Sequence, residues 1–231
     1  MARKPAKQAV DSDSSDPKKS ELTRIRILDA TARVLSEKGY AGTRLTDVAK
    51  YAELQAPAIY YYFSSREDLI EEVMFAGISD MRQHLRAELD RLPDGTPPME
   101  RIVFAVETHL RHELELSDYA TASIRNSGQI PEHLRSRQKK EAAAYDRIWR
   151  KLFSDARADG QLRDDIDDKL AQALVVGALN WAAEWWDPRR ASLDTIVANA
   201  QTFVRHSLSP LPAPDEPTGR KSKRKTPAAN S

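Results

Sequence analysis

The chain has no cysteine, only eight glycines among 231 residues, and no long apolar run. The missing thiols exclude a disulfide scaffold, cysteine-ligated zinc and a cysteine nucleophile. A transmembrane helix needs about 18 or more apolar residues in succession, and none occurs, so no membrane partner is expected. The N-terminus, Met1-Ala2-Arg3-Lys4-Pro5, turns polar without the apolar core of a secretion signal, which points to the cytoplasm. Net charge is also nearly absent: 36 Lys+Arg stand against 35 Asp+Glu. With 40% hydrophobic and 31% charged residues, the chain is too apolar to be wholly disordered. Its length suits one domain or two small ones.

The charge balance conceals an asymmetry. Residues 1–20 hold five basic and three acidic groups, and residues 209–231 five basic and two acidic. Residues 71–208 carry 19 basic groups against 23 acidic ones. Basic ends on a mildly acidic body suit a polyanionic partner. Residues 1–20 read as a disordered basic tail. Residues 209–231 run from Pro210-Leu211-Pro212 to Arg220-Lys221-Ser222-Lys223-Arg224-Lys225, an extended Pro-rich linker and basic tail.

Between the tails the pattern is all-α, with about nine helices, because glycine is scarce and no stretch alternates as a strand would. Ile25, Leu28, Ala32 and Leu35 mark a first helix stopping at Gly39. Short helices follow over 46–52 and 56–62, then a long one over 66–91 that ends at Pro93-Asp94-Gly95. Further helices are expected over 99–116, 118–126, 132–159, 167–186 and 191–207.

Signs of catalysis are missing as well. There is no Gly-rich phosphate loop and no Gly-x-Ser-x-Gly elbow. Asp164-Asp165 and Asp167-Asp168 suit a helix N-terminus without a chemical role. Of five histidines, only His109 and His112 lie close, and without a third ligand they read as exposed or half-exposed helix residues. No enzyme, metal or cofactor is expected.

Residues 43–70 are the informative segment. Leu45, Val48 and Ala49 give one short amphipathic helix, Leu54 falls in a turn, and Ile59 and Phe63 give the apolar side of a second. Two short helices behind a longer one make a helix-turn-helix, expected as the core of a three-helix unit over 21–70. The first turn of the second helix, Gln55-Ala56-Pro57-Ala58, is small and uncharged enough to enter a major groove. There Gln can pair with adenine, and Ala and Pro can touch thymine methyls. Tyr60, Tyr61 and Tyr62 offer hydroxyls to phosphates, and Arg66 a guanidinium.

These residues resemble the TetR family of transcriptional regulators. The likeness runs from Thr23 to Ala76 and is carried by Gly39-Tyr40-Ala41-Gly42-Thr43, Val48-Ala49, Ile59-Tyr60-Tyr61-Tyr62-Phe63 and Ser65-Arg66-Glu67-Asp68-Leu69. It implies a ligand-responsive repressor bound to double-stranded DNA at a palindromic operator. It also implies DNA contacts at Thr46, Gln55, Ala56, Pro57, Tyr60, Tyr62 and Arg66. Two positions depart from the family: Glu53 replaces a turn glycine, and Gln55 a common serine.

Residues 71–208 are read as a ligand-binding and dimerisation domain. The 167–186 helix carries two apolar stripes: Leu170, Leu174, Gly177, Trp181 and Trp185, and the smaller Ala171, Val175, Ala178 and Ala182. Two-sided burial is expected, the 191–207 helix completing a four-helix homodimer interface. Tyr145, Trp149, Phe153, Trp181, Trp185 and Trp186 form an aromatic group that suits a ligand pocket or simple core packing. Val103, Val106 and Leu110 are candidates for a further wall, and Asn126 and Asn180 for its polar groups. The stretch 120–190 resembles a subgroup of acyl-CoA-responsive repressors, implying a small apolar effector such as an acyl-CoA; Arg147, Arg150 and Lys151 are candidate phosphate partners. A drug-efflux repressor and a helical protein-interaction domain are the competing readings.

Overall fold

The computed structural model describes residues 17–211. Among them are ten α-helices and no strand: α1 (Pro17–Gly42), α2 (Leu45–Tyr51), α3 (Ala56–Ile59), α4 (Arg66–Asp90), α5 (Pro98–Arg111), α6 (Asp118–Asn126), α7 (Ser136–Ala158), α8 (Asp168–Asn180), α9 (Ala182–Trp185) and α10 (Leu193–Leu208). A π-helical turn, His112–Leu116, extends α5, and a 3-10 turn, Glu132–Leu134, precedes α7. The segment expected as one helix over 167–186 is two, because the chain breaks at Trp181. The N-terminal tail expected to reach residue 20 gives way to α1 at Pro17; the rest of that tail, and the C-terminal tail beyond Leu211, lie outside the described residues.

Local chemistry accounts for the boundaries. Gly39 takes a positive φ of 69° and kinks α1 there, so the helix expected to stop at Gly39 continues as a short turn to Gly42. Ser65, Ser117, Asp167 and Ser192 each accept a backbone N–H with their side chains at the starts of α4, α6, α8 and α10. Pro98 sits where its missing N–H costs nothing.

Two apolar cores result. The first joins α1, α2 and α3 to the first half of α4 through Ile27, Leu35, Val48, Ile59, Leu69 and Val73. The second gathers α5, α7, α8 and α10 around Met81, Leu85, Ile102, Val106, Trp149 and Phe153. The long α4 serves both, and α6 lies across it. Gly77 marks that crossing: a Cβ there would stand 2.1 Å from the Tyr119 carbonyl oxygen. Ser123 Oγ donates to the Met74 carbonyl at 2.7 Å beside it. No helix among the described residues is long and apolar enough to cross a membrane.

Candidate functional site

The helix-turn-helix is built by opposing demands. Val48 and Ala49 are buried, so α2 and the next turn approach closely. Glu53 holds a left-handed φ of 55°, so the turn keeps a glycine-like backbone and the non-glycine residue there bears the strain instead of reshaping it. The turn is held by Leu54 N–H donating to Ala49 O at 2.9 Å and by the Arg26 guanidinium on Ala52 O. The helix expected over 56–62 is shorter. Only Ala56–Ile59 is α-helical, and Tyr60, Tyr61 and Tyr62 follow in a tightened turn with N–H bonds to Pro57, Ala58 and Ile59.

This geometry presents Thr46, Gln55, Pro57, Tyr60 and Tyr61 to solvent, with Ala56 and Tyr62 half-buried. Gln55 is the N-cap residue of α3 by backbone conformation, yet its side chain makes no capping bond. Its amide is therefore uncommitted. Lys50, one turn beyond Thr46 on α2, is an exposed cation that the sequence reading passed over.

Arg66 departs from its expected role. Its Nε donates to Thr43 O at 2.7 Å, an Nη donates to Tyr40 O, and the guanidinium stacks over the Tyr40 ring 4.6 Å away. Its remaining reach goes to Glu67 at 2.9 Å. It clips the start of α4 to the α1–α2 turn and does not project outward. Arg66→Ala is expected to lose about 1.5–3 kcal/mol of stability for each charged bond left unmade, discounted for partial exposure. Thermal melting reads this; an unchanged midpoint would mean the clip is dispensable.

The second site is a cavity of about 520 Å³ between α4, α6, α7, α8 and α9. Its walls are Ile78 and Met81, Ile124 and Arg125, Tyr145, Asp146 and Trp149, and Gln172, Val176, Asn180, Trp181 and Glu184. Four of the eleven expected lining residues are here: Tyr145, Trp149, Asn180 and Trp181; Phe153 is buried in the second core, and Trp186 donates its indole N–H to Ala191 O at 3.0 Å. Val103, Val106 and Leu110 are not at the cavity, because the apolar face of α5 that carries them is spent on the second core. Trp185 points away from this cavity to the outer side of α8 and α9, beside Phe203 and Ile196. Asp146, which sequence reading missed, pairs with Arg150 at 2.7 Å and accepts from Gln172 Nε2 at 2.9 Å.

Behind the wall lies a buried polar chain. Tyr145 Oη is 2.7 Å from His109 Nδ1, and His109 Nε2 is 3.2 Å from Glu113 Oε2. Burial pushes the Glu113 carboxyl and the Tyr145 phenol upward. The expectation of exposed histidines fails here: His109 and His112 are both buried. Their positions on α5 and the π turn face α7 and α4, where His112 stacks on His84 at 4.6 Å. No group of three or more metal-binding side chains occurs among the described residues.

Asn126 is likewise not at the cavity. It is fully buried at the end of α6, donating to Leu35 O and Ala122 O and accepting from Tyr40 N–H at 2.7 Å. Its neighbour Arg125 does line the cavity. That guanidinium donates to Ser36 O at 2.9 Å, Ala183 O at 2.9 Å and Glu184 Oε1 at 2.8 Å. Two adjacent side chains thus tie the cavity and α9 to the last turn of α1.

A third surface is apolar. Leu170, Leu174, Trp181, Trp185 and Phe203 are more than half exposed on α8, α9 and α10, whereas Ala171, Val175 and Ala182 face inward. Large residues outside and small ones inside is the reverse of a monomer's preference.

A family profile described as "Bacterial regulatory proteins, tetR family" matches residues 27–73. A second, "Tetracyclin repressor-like, C-terminal domain", matches residues 95–207. The HTH-type transcriptional regulator HbdR of an Aromatoleum species is 26% identical over 180 residues, 78% of this chain and 77% of the relative. The HTH-type transcriptional repressor KstR2 of Rhodococcus jostii is 22% identical over 192 residues, 80% and 91% of the two chains. The crystal structure of AibR in complex with isovaleryl coenzyme A and operator DNA shares the fold, with a TM-score of 0.70 and 17% identity over 78% of this chain and 97% of that one.

Proposed function

The chain belongs to the TetR family of transcriptional regulators, and we propose that it is a cytoplasmic, dimeric operator-binding repressor released by an acyl-CoA thioester. The observation that carries this reading is Arg125, which lines the cavity and at the same time holds the Ser36 carbonyl of α1. An occupant that moves Arg125 or Glu184 pulls on the element that carries the helix-turn-helix. A cavity of 520 Å³ lies in the range of small-molecule sites, and isovaleryl coenzyme A is the ligand in the AibR complex.

On DNA, Gln55, Ala56 and Pro57 enter the major groove, Thr46 and the tyrosines flank them, and Lys50 neutralises a phosphate. Lys50→Ala is then expected to lower the slope of log K against log salt by about 0.9 per protomer, because one condensed counterion is no longer released. Tyr60→Phe removes a neutral donor, weakening binding with the slope unchanged. Fluorescence anisotropy over a salt series checks both; equal slopes for wild type and Lys50→Ala would remove Lys50 from the interface.

Release depends on differential affinity of the effector for two conformers, typically about 1–3 kcal/mol of coupling. The test titrates acyl-CoAs, free fatty acids and planar cationic drugs into the complex of the protein with DNA flanking its own gene. Acyl-CoAs are expected to lower operator affinity about 5–150-fold. Arg125→Ala is expected to shrink that ratio toward one, and titration of acyl-CoA onto the variant without DNA separates lost coupling from weakened binding. Release by cationic drugs alone would replace the acyl reading with a drug-sensing one.

A further inference from the structure

The cavity beside Arg125 is faced by one stripe of α7 and one of α8. Gln138, Ala142, Tyr145 and Trp149 step by four, three and four along α7, and Gln172, Val176 and Asn180 step by four along α8. The two helices run antiparallel. Arg157 reaches Asp168 at 2.6 Å near the turn that joins them, and farther from the turn Gln172 Nε2 donates to Asp146 Oδ1 at 2.9 Å. Gln138 lies eight residues before Asp146, and Asn180 eight residues after Gln172. At about 1.5 Å per residue, both stand about 12 Å beyond that contact, at one level of the cavity.

An apolar residue would suit a cavity-facing stripe, yet both positions carry a primary amide. Gln138 is only 8% exposed, and its side chain makes no hydrogen bond with the described residues; the half-buried Asn180 side chain makes none either. A buried amide without a protein partner is answered from the cavity, by water or by a ligand. The charged groups that line the same cavity are engaged already. Arg125 donates to Ser36 O, Ala183 O and Glu184, and Asp146 pairs with Arg150 and accepts from Gln172. What the cavity leaves open on these two residues is neutral: on each, one carbonyl oxygen and one NH2 group.

We propose that Gln138 and Asn180 form a subsite for a secondary amide of the effector, namely the amide nearest the thioester in the pantetheine arm of an acyl-CoA. The inference rests on the reading of this cavity as the acyl-CoA site. A secondary amide donates its N–H to one side-chain oxygen and accepts from the opposite NH2 group, so each partner answers the other. A carboxylate offers acceptors only, and it enters beside Asp146 and Glu184 with Arg125 already taken. An ester likewise brings no donor. The subsite thus selects a thioester that carries an amide over a free acid or a simple ester, because a site built for an N–H is left with an unpaired oxygen when the N–H is missing.

The experiment titrates the full-length protein calorimetrically with hexanoyl-CoA, with S-hexanoyl-N-acetylcysteamine, which keeps the thioester and that one amide, and with 2-(hexanoylthio)ethyl acetate, in which an ester oxygen replaces the amide N–H. Wild type is expected to bind the amide compound about tenfold more tightly than the ester, since one hydrogen bond is lost and its buried acceptor is left unpaired. Gln138→Leu and Asn180→Leu should each bring that preference below threefold and weaken hexanoyl-CoA binding with it. Gln138→Leu should melt no lower than wild type, because the amide it removes bonds to nothing in the described chain. If either variant fails to fold, the other decides the assignment, and the wild-type comparison stands without both. Equal binding of amide and ester by wild type overturns the subsite and leaves the acyl-CoA reading standing, as does binding of hexanoyl-CoA alone. Binding of none of the compounds overturns both. A preference that survives both substitutions overturns the assignment to these residues.

Discussion

Gly77→Ala is expected to lower the melting temperature by about 6–12 °C and to weaken operator binding with it. The added Cβ would stand 2.1 Å from the Tyr119 carbonyl oxygen and 2.4 Å from Ser123 Oγ. The nearest atom is backbone, so no rotamer change relieves the clash, and α6 must move off α4. Overpacking of this kind costs about 1–3 kcal/mol and occasionally more, and a rigid backbone contact belongs at the top of that range. At about 2–4 °C per kcal/mol for a chain of this size, the shift follows. Operator binding falls because the displaced helix ends in Arg125 and Asn126, which hold the Ser36 and Leu35 carbonyls of α1. Thermal melting and anisotropy on the same preparation read both effects. A midpoint within 2 °C of wild type would show that the two helices are not tightly apposed.

Leu174→Asp combined with Phe203→Asp is expected to split the dimer and lower operator affinity at least 100-fold. Both side chains are exposed in one copy, at 75% and 68%, and lie together around an apolar hollow on α8 and α10. Two-fold symmetry places each substitution twice in the interface, so four carboxylates would have to be desolvated, at several kcal/mol per unpaired ion. The two reading heads then lose the fixed spacing of roughly 34–36 Å between half-sites, and each must bind alone. Since about 1.4 kcal/mol is tenfold, a loss of 100-fold needs only about 3 kcal/mol. Sedimentation should report a folded monomer with unchanged helicity. A variant that remains dimeric would move the interface elsewhere on the surface.

The helical architecture was legible in the sequence because its causes are local. Apolar residues three and four apart define α1, α4 and α10, and Gly39 and Pro93-Asp94-Gly95 interrupt the chain where the structure also turns. The small first turn at Gln55–Ala58 could be read likewise, whereas the left-handed φ at Glu53 was foreshadowed only by the family resemblance, which puts a glycine there. The split of 167–186 at Trp181 and the tightened turn over Tyr60–Tyr62 were not legible, because helix ends depend on packing as much as propensity.

Side-chain destinations divided along the same line. Whether a residue is apolar is a property of the sequence, but which of several apolar surfaces it faces is not. Val103, Val106, Leu110 and Trp185 have the character of pocket residues, yet the tertiary arrangement commits them to the core and to the outer face. Polar groups were less predictable still. Arg66 and Asn126 carry donors suited to DNA or to a ligand, but backbone carbonyls of Thr43, Tyr40 and Leu35 come within reach only after folding and take those donors first. Arg125 shows the same physics in the opposite direction. No periodicity marks it out, and its place between the cavity and Ser36, 89 residues earlier, exists only because α6 crosses α4 at Gly77. Local spacing thus determined most of the helices and the helix-turn-helix. The partners of each charged or hydrogen-bonding group were decided by contacts between residues far apart in sequence, which no local pattern encodes.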